Sequence, residues 1–256
     1  MNILLWLSYK GTRYAGFQVQ PNGVTICAVV QDAMQDLFGA RPNVKGCSRT
    51  DAGVHARRFA LNFHWQTSIP MDRLPAALNV RLPADIRVLE AQQVPEDFHA
   101  RYAAHAKTYH YRILCAKVDD PFEFDTSYRV PGPLDLTAMQ AAAAGFVGRH
   151  DFTALCASGS SAAAHGDTVR TVMDCTVAQD GAMFTLSVTA DGYLYNMVRI
   201  LAGTVLQAGQ GKLDPAQVPA ILASRDRRRA GQTLPAKGLF LWEVSYPGLA
   251  VEADNQ

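Results

Sequence analysis

The sequence predicts an α+β fold of two split-βαβ (ferredoxin- or RRM-like) halves, joined into an extended antiparallel sheet with helices on one face and a cleft between the halves. The order β-α-β-β-α-β can be traced over the first 95 residues and again, with insertions, over the rest. A chain of 256 residues, 48% of them hydrophobic, can bury two such cores. We place an N-terminal domain at 1–104, a C-terminal domain at 105–250 and a tail at 251–256.

The first half has one strong helix signal. Thr25 is a good N-cap, apolar residues recur at helical spacing across 26–38, and Gly39 ends the pattern. Residues 59–65 alternate apolar and other side chains, which predicts a half-buried strand. The other predicted elements are strands at 3–9, 44–48 and 86–94 and a short helix at 71–78.

The second half has a strong hairpin signal. The Asp180-Gly181 pair separates the strand-like runs 169–178 and 183–190. Asp135 can cap a helix that runs to Phe146. The other predicted elements are strands at 108–115 and 239–246, helices at 195–207 and 215–223, and an inserted loop rich in Ser, Ala and Gly at 157–166.

The charge balance neither indicates nor excludes a nucleic-acid partner. The 24 basic and 23 acidic residues give a net charge of +1, but a polyanion responds to a local patch rather than to the sum. Basic residues do cluster at Arg57-Arg58 and across 225–229. Each cluster can equally be a solvated surface.

Cysteine usage and apolar runs limit the protein class. The five cysteines are irregularly spaced and include no CxxC pair, so we expect reduced thiols in a cytoplasmic protein and no metal site. Apolar runs such as 3–7 are too short to span a bilayer. The N-terminus has no basic stretch followed by an apolar block, so we do not expect a secretory signal.

The segment 46–56 concentrates chemically active side chains between two predicted strands. Its letters, GCSRTDAGVHA, include Arg49, Asp51, Gly53 and His55. By local chemistry alone, Asp51 is better explained as a turn former that bonds nearby amides. His55 is likewise explained as a packed or hydrogen-bonded histidine.

Five segments in order resemble the TruA family of tRNA pseudouridine synthases. They read YKGTRYAGFQ at 9–18, SRTDAGVHA at 48–56, FHARY with KTYHY at 98–111, DGYLYNMVR at 191–199 and PAKGLFL at 235–241. The resemblance implies an isomerase that detaches a uracil from C1′, rotates it and rejoins it through C5. It implies neither a cofactor nor a metal.

The resemblance also implies roles for individual residues. Asp51 would be the catalytic carboxylate, and Arg199 its charge partner. Tyr109 would stack on the target uracil, although Tyr109 and Tyr111 share a strand face and one of them should be core. Leu239 would form an apolar wall beside the base.

RNA contacts follow from the same resemblance. Arg49 would hold the target nucleotide out of its helix. Lys10, Arg13, Arg57, Arg58 and the run 227–229 are candidates for phosphate contacts, which would make affinity fall with salt. The implied substrate is the anticodon stem-loop of tRNA at positions 38–40, and the implied enzyme is a homodimer.

Two other functions are weighed against this one. A non-catalytic RNA-binding protein of the same fold is one, because split-βαβ sheets bind RNA in many settings. A hydrolase with Asp51 as nucleophile is the other, and it would need a second acid such as Asp85, Asp97 or Asp191. Departures from the family pattern at Val19, Ser48, Cys27 and 58–60 bear on RNA contacts and substrate range.

Overall fold

The computed structural model describes residues 1–159 and 164–249. Contacts divide the chain into two compact units. Unit 1 contains residues 1–107 together with the described chain from Leu241 onward, and unit 2 contains residues 108–240. The predicted tail at 251–256 and part of the predicted loop at 157–166 lie outside the described residues.

Unit 1 has the predicted β-α-β-β-α-β order. Its elements are β1 (Asn2–Tyr9), α1 (Ile26–Phe38), β2 (Lys45–Gly46), β3 (His55–His64), α2 (Leu74–Asn79) and β4 (Ile86–Val94), with most of β10 (Leu239–Ser245). The strand order is β4-β1-β3-β10, and the two-residue β2 also pairs with β3, opposite Leu61 and Asn62. Strands β1 and β4, like β1 and β3, are antiparallel.

Helix α1 has the predicted bounds, Ile26–Phe38. The hydroxyl of Thr25 accepts a hydrogen bond from the Ala28 amide over 3.3 Å, which satisfies a donor of the first turn. Gly39 takes a left-handed φ of 82° and donates to the Gln35 carbonyl, which ends the helix.

Strand β3 is buried on both faces, and in this the half-buried prediction was wrong. Every residue from Phe59 to Phe63 is fully buried. One face packs on α1, where the rings of Phe63 and Phe38 lie 6.2 Å apart. The other face is covered by the chain after β4, which bonds to Asn62 of β3. The extra cover comes from a segment with no regular structure of its own, so periodicity could not predict it.

Unit 2 is also a sheet with helices, and most of its strand pairs are antiparallel. Its elements are most of β5 (Ala106–Cys115), β6 (Tyr128–Val130), α3 (Leu136–Ala144), β7 (Gly148–Asp151), β8 (Val169–Asp180), β9 (Met183–Ala190), α4 (Met197–Gly209) and α5 (Val218–Ser224). The strand order is β5-β9-β8-β7, and β6 runs parallel to β5. The α+β class is confirmed. The short strands β6 and β7 were not predicted, because three or four residues are too few to show a period.

Helix bounds in unit 2 differ from the predictions for local reasons. Asp135 caps α3 as predicted, accepting from the Ala138 amide over 3.0 Å. The helix ends at Ala144 because the amide of Phe146 bonds Ala143 in a tighter turn. Helix α4 begins two residues later than predicted because Asn196 is left-handed, with a φ of 60°.

The last strand explains why the division differs from the predicted 1–104 and 105–250. The amide of His105 donates to the carbonyl of Ser245 over 2.9 Å, and the Ser245 hydroxyl bonds the Ala106 carbonyl. The chain from Leu241 onward therefore packs within unit 1, and no linear cut separates the units. Among the described residues, no helix combines the length and apolar character needed to cross a membrane.

Candidate active site

The loop that carries Asp51 joins β2 to β3 in unit 1 and lies against two glycines of the first motif. Gly16 has a φ of +90°, and a Cβ there would lie 2.6 Å from the Thr50 carbonyl oxygen. A Cβ on Gly11 would lie 1.9 Å from the Val54 carbonyl oxygen. The backbone of the loop can approach this closely only where the facing residue has no side chain.

Hydrogen bonds fix the loop on both sides of Asp51. The Phe17 amide donates to the Thr50 carbonyl over 3.1 Å, and the Gly53 amide donates to the Tyr14 carbonyl over 3.2 Å. The buried Thr50 hydroxyl also bonds the Tyr9 hydroxyl over 2.8 Å. The backbone around Asp51 is thus held by the segment 9–18, so the first two sequence motifs form one structural feature.

The side chains of this loop differ in exposure. Asp51 is half-buried, while Arg49 is exposed and Thr50 between them is buried. His55 is buried, and its Nδ1 accepts the Gly11 amide over 3.0 Å. Since Nδ1 is an acceptor here, His55 acts as a link between two segments, as its structural interpretation predicted.

Arg13 and Tyr14 both bond to Asp85, which directly precedes β4. Arg13 Nε donates to Oδ2 over 2.9 Å, and the Tyr14 hydroxyl donates to Oδ1 over 2.7 Å. Burial would raise the pKa of Asp85, but the hydrogen bonds from Tyr14 and Arg13 outweigh it and lower the pKa. Asp85 therefore anchors the first motif, which argues against its use as a second catalytic acid. The Arg13 side chain remains 70% exposed.

Adjacent arginines of β3 have opposite environments because successive strand residues point to opposite faces. Arg57 is exposed, with its guanidinium 5.6 Å from the Trp242 ring centre. Arg58 is 8% exposed, lies 4.5 Å from the Trp6 ring centre and pairs with Glu90 over 2.8 Å. Arg58 therefore cannot contact a phosphate without breaking this packing, which argues against its predicted role in RNA binding.

Arg199, in the first turn of α4, is held by two acceptors of unit 2. Its Nε donates to the Leu234 carbonyl over 2.7 Å, and one terminal nitrogen donates to Oδ1 of Asn196 over 2.8 Å. The Leu234 amide in turn donates to the Arg199 carbonyl over 3.2 Å. The guanidinium is thus oriented by the left-handed residue before α4 and by the chain that follows α5.

That chain is locked along α4 by an unusually close backbone approach. A Cβ on Gly203 would lie 2.0 Å from the Gln232 carbonyl oxygen, and one on Gly231 would lie 2.3 Å from the Gly203 carbonyl carbon. The Gly231 amide donates to the buried Thr204 hydroxyl over 2.9 Å. The two glycines and Thr204 therefore set the position from which Leu234 reaches Arg199.

Both tyrosines of the pair on β5 are buried, and Tyr111 is the more deeply buried of the two. It is fully buried, and its hydroxyl donates to the Pro235 carbonyl over 2.7 Å. Tyr109 is 6% exposed and makes an edge-to-face contact with Tyr193 at 4.9 Å between ring centres. The Tyr193 hydroxyl donates to Val188 over 2.8 Å. Tyr109 is thus supported from behind by a second, fixed aromatic ring.

Leu239 lies at the start of β10 and is 6% exposed. A Cβ on the preceding Gly238 would lie 2.9 Å from the Tyr111 ring and the same distance from the Arg112 carbonyl. The segment before Leu239 therefore rests directly on Tyr111.

The basic run 227–229 already uses part of its charge within the protein. Arg228 pairs with Asp226 over 2.7 Å, and Arg227 bonds the Thr233 hydroxyl.

Sequence reasoning quoted Tyr193 and Asn196 inside a motif but gave them no role, and it missed Leu234. Asparagine before a helix predicts an N-cap in extended conformation, whereas Asn196 is left-handed, a conformation that asparagine adopts more readily than most residues. Leu234 could not have been found from the sequence, because it acts through its backbone carbonyl.

Within residues 1–159 and 164–249, no three His, Cys, Asp or Glu side chains are grouped to bind a metal.

Comparison with known proteins identifies the family. The family described as tRNA pseudouridine synthase matches residues 6–103 and 142–247, which include the Asp51 loop, Arg199 and Leu239. The chain belongs to the tRNA pseudouridine synthase family. The resemblance predicted from the five motifs is confirmed, and the reaction class is that of an isomerase.

Relatives in this family align over nearly the whole chain. The tRNA pseudouridine synthase A of Moorella thermoacetica is 46% identical over 242 residues, which cover 94% of this chain and 97% of the relative. Its namesake from Halalkalibacterium halodurans is 44% identical, covering 92% and 89%. That of Caldicellulosiruptor saccharolyticus is 42% identical, covering 96% and 99%.

Proposed function

We propose that this protein isomerises uridine to pseudouridine at positions 38–40 of the tRNA anticodon stem-loop, with Asp51 as the catalytic carboxylate and no cofactor. The proposal rests on the contacts that fix the backbone of the Asp51 loop. Two glycines and three hydrogen bonds of the first motif fix the backbone on either side of a half-buried carboxylate. Such preorganisation is what a catalytic group needs and a mere turn does not.

The reaction breaks the bond between N1 and C1′ and forms one between C5 and C1′; the proton on C5 is released, and N1 takes up a proton in its place. In the proposal Asp51 acts on the nucleoside and Arg199 favours the charged form of the carboxylate. Tyr109 offers a flat ring to the uracil, and Leu239 gives an apolar wall beside it. The cradle that orients Arg199 and the ring behind Tyr109 both support these assignments.

Access to the target nucleotide requires that it leave its helix, at a cost of a few kcal/mol. Arg49 is exposed and two residues from Asp51, so we propose that it offsets this cost by holding the flipped nucleotide. Lys10, Arg13 and Arg57 are exposed and are proposed to bind phosphates. Arg13 would do so from a side chain already oriented by Asp85.

Assembly and location are part of the proposal. On the family resemblance, we propose a homodimer that binds one tRNA across both subunits, in the cytoplasm. All five cysteines lie in the described part of the chain and are free thiols, which suits a reducing compartment.

The test uses unmodified tRNA labelled with tritium at C5 of uridine. The wild-type protein should release tritium, and mapping should place pseudouridine at positions 38–40. Asp51→Asn keeps the size of the side chain but removes its charge, and it should abolish release. Asp36→Asn, on the exposed side of α1, is the matched control and should release tritium normally.

The same assay separates the other function that the sequence left open. A non-catalytic RNA-binding protein would bind the tRNA and release no tritium at any protein concentration. Release by Asp51→Asn at the wild-type rate would instead remove Asp51 from the chemistry while leaving the family assignment intact.

A further inference from the structure

Residues 98–102 of unit 1 form an exposed turn, called the Tyr102 turn here, that none of the roles above uses. Tyr102 is 76% exposed, an unusual state for so large an aromatic side chain. One side of it contacts His99, with ring centres 4.4 Å apart, and the Arg101 guanidinium lies 5.7 Å from its ring centre. Most of the tyrosine surface remains open to solvent.

The turn is anchored by a buried pair of amide side chains. Asn2 Nδ2 donates to the carbonyls of Pro95 and Phe98 over 3.0 and 2.9 Å. Asn62 Nδ2 donates to Asn2 Oδ1 over 2.9 Å, and Asn62 Oδ1 accepts the Ala100 amide over 2.8 Å. Both asparagines are fully buried. Burying two amides is costly unless they are bonded, so this pair specifies one path for the chain.

A third buried group holds the middle of the turn. The Tyr246 hydroxyl donates to the Ala100 carbonyl over 2.6 Å, and its ring makes an edge-on contact with Phe98 at 5.2 Å. The amides of Tyr102 and Ala103 both donate to the His99 carbonyl. The exposed tyrosine therefore stands on a rigid base, and little entropy would be lost in ordering the backbone when a ligand binds.

Charges of both signs lie near the turn. Lys45 of β2 and Arg101 act on His99, while the exposed Glu96 and Asp97 directly precede the turn. Desolvation first, and then the charges of Lys45 and Arg101, lower the pKa of His99. The two cations therefore act on the same small region as the open tyrosine ring. A flat aromatic surface with adjacent cations matches the chemistry of an unpaired nucleotide, which offers a base face and a phosphate.

We propose that the Tyr102 turn is a docking site for an unpaired nucleotide of the RNA substrate, apart from the flipped uridine. The base stacks on the open face of Tyr102, and Arg101 and Lys45 bind a neighbouring phosphate. This inference rests on the proposed function, because the RNA concerned is the tRNA substrate. Asn2, Asn62 and Tyr246 are positioning residues that hold the turn.

Unit 2 contains an exposed aromatic residue, Phe122, that serves as a control. It is 91% exposed, Asp120 and Glu123 lie within two residues of it, and Glu123 pairs with Arg112 over 2.8 Å. Carboxylates repel a phosphate backbone, so Phe122 is a poor site for RNA. A comparison of the two positions separates the effect of an exposed ring from that of a ring among cations.

The test measures the dissociation constant of unmodified tRNA for Tyr102→Ala, Tyr102→Trp, Arg101→Gln and Phe122→Ala. One lost stack should weaken binding by about 5- to 100-fold in Tyr102→Ala. Tyr102→Trp, which keeps a flat ring, should bind within a few-fold of the wild type. Arg101→Gln should make the salt dependence of log K shallower by roughly 0.7 to 0.9, whereas Tyr102→Ala should leave that slope unchanged. Phe122→Ala should bind normally.

Two results would overturn the proposal: wild-type tRNA affinity in Tyr102→Ala, or equal losses in Tyr102→Ala and Tyr102→Trp. If wild-type affinity is accompanied by a change of oligomeric state, the turn is a protein interface instead. Failure of the proposed function would give a different result. A wild-type protein that binds tRNA but releases no tritium would refute the enzymatic proposal, and the affinities of the Tyr102 variants would still test the stacking site.

Discussion

The backbone amide of Gly11 donates a hydrogen bond to Nδ1 of His55 over 3.0 Å. The bond joins the first sequence motif to the end of the Asp51 loop, forty-four residues later in the chain. Before Asp51 in the same loop, the Thr50 carbonyl lies against Gly16 of the first motif. The motif that looks like an independent N-terminal element is therefore the support of the loop, and the predictions below begin there.

Gly16→Ala should disrupt this support. The new Cβ would lie 2.6 Å from the Thr50 carbonyl at a φ of +90°, so the variant combines backbone strain with a clash. We expect a loss of about 2–4 kcal/mol in the free energy of unfolding and a fall in tritium release. Gly39→Ala is the matched control, because its φ of +82° is similar but its Cβ would meet no described atom within 4 Å. It should cost only about 1 kcal/mol and leave turnover normal. Equal losses would show that strain, rather than the contact, matters.

Asp85→Asn should destabilise unit 1 in a pH-dependent way. The folded pKa of Asp85 is lowered, so its stabilisation is complete above the unfolded pKa of about 3.9 and is lost as the pH falls through the lower folded value. At pH 7 we expect a deficit of roughly 1–2 kcal/mol, measured by urea unfolding. The deficit should shrink as the pH is lowered below 4. A deficit that stays constant over that range would show that the charge of Asp85 does not contribute.

Arg199→Lys should be far less active although the positive charge is kept. A lysine has a single ammonium group and cannot donate to Leu234 and Asn196 while also presenting a planar face. We expect kcat to fall on the order of 100-fold, with tRNA affinity little changed. Asn196→Ala should show a smaller fall of the same kind, because it removes the acceptor Oδ1 that orients one terminal nitrogen of Arg199. Arg149→Lys, at an exposed position of β7, is the control. Full activity in Arg199→Lys would mean that only charge is needed.

Local chemistry predicted those parts of the fold and site that depend on neighbouring residues. Helix α1 has its predicted bounds because Thr25 and Gly39 act on the adjacent backbone. The Asp51 loop could be located because its residue types are concentrated in one short segment. The burial of Arg58 could not be predicted from the sequence, because nothing in the neighbouring residues indicates that Trp6 and Glu90 will enclose its side chain.

Long-range contacts account for what the sequence missed. The pairing of Asn2 with Asn62 joins residues sixty positions apart, and each would pass as an ordinary polar strand residue. The return of the chain to unit 1 after Phe240 depends on hydrogen bonds with residues 105 and 106. Neither follows from periodicity or capping, because both depend on which surfaces meet after folding.

Tyr111→Phe and Tyr109→Phe should fail in different ways. The first leaves the buried Pro235 carbonyl without its hydroxyl donor, and we expect a loss of about 1–3 kcal/mol in the free energy of unfolding. Its turnover at low temperature, where the protein is folded, should be close to normal. Tyr109→Phe keeps the stacking ring and should bind tRNA normally, but it should turn over more slowly if the hydroxyl takes part in proton transfer. Thermal unfolding and single-turnover tritium release distinguish them, and the opposite pattern would exchange their roles.

The neighbouring arginines of β3 give a final pair. Arg57 is exposed, so Arg57→Gln should change stability by less than about 0.5 kcal/mol and make the salt dependence of tRNA binding shallower by roughly 0.7 to 0.9. Arg58→Gln removes a guanidinium that packs on Trp6 and pairs with Glu90, so it should cost about 1–3 kcal/mol of stability. Its salt slope should equal that of the wild type, because a buried arginine releases no counterion from RNA. Filter binding across a salt series and urea unfolding give the two numbers. A shallower slope in Arg58→Gln would mean that this side chain leaves Trp6 to reach the RNA, and would restore it to the binding surface.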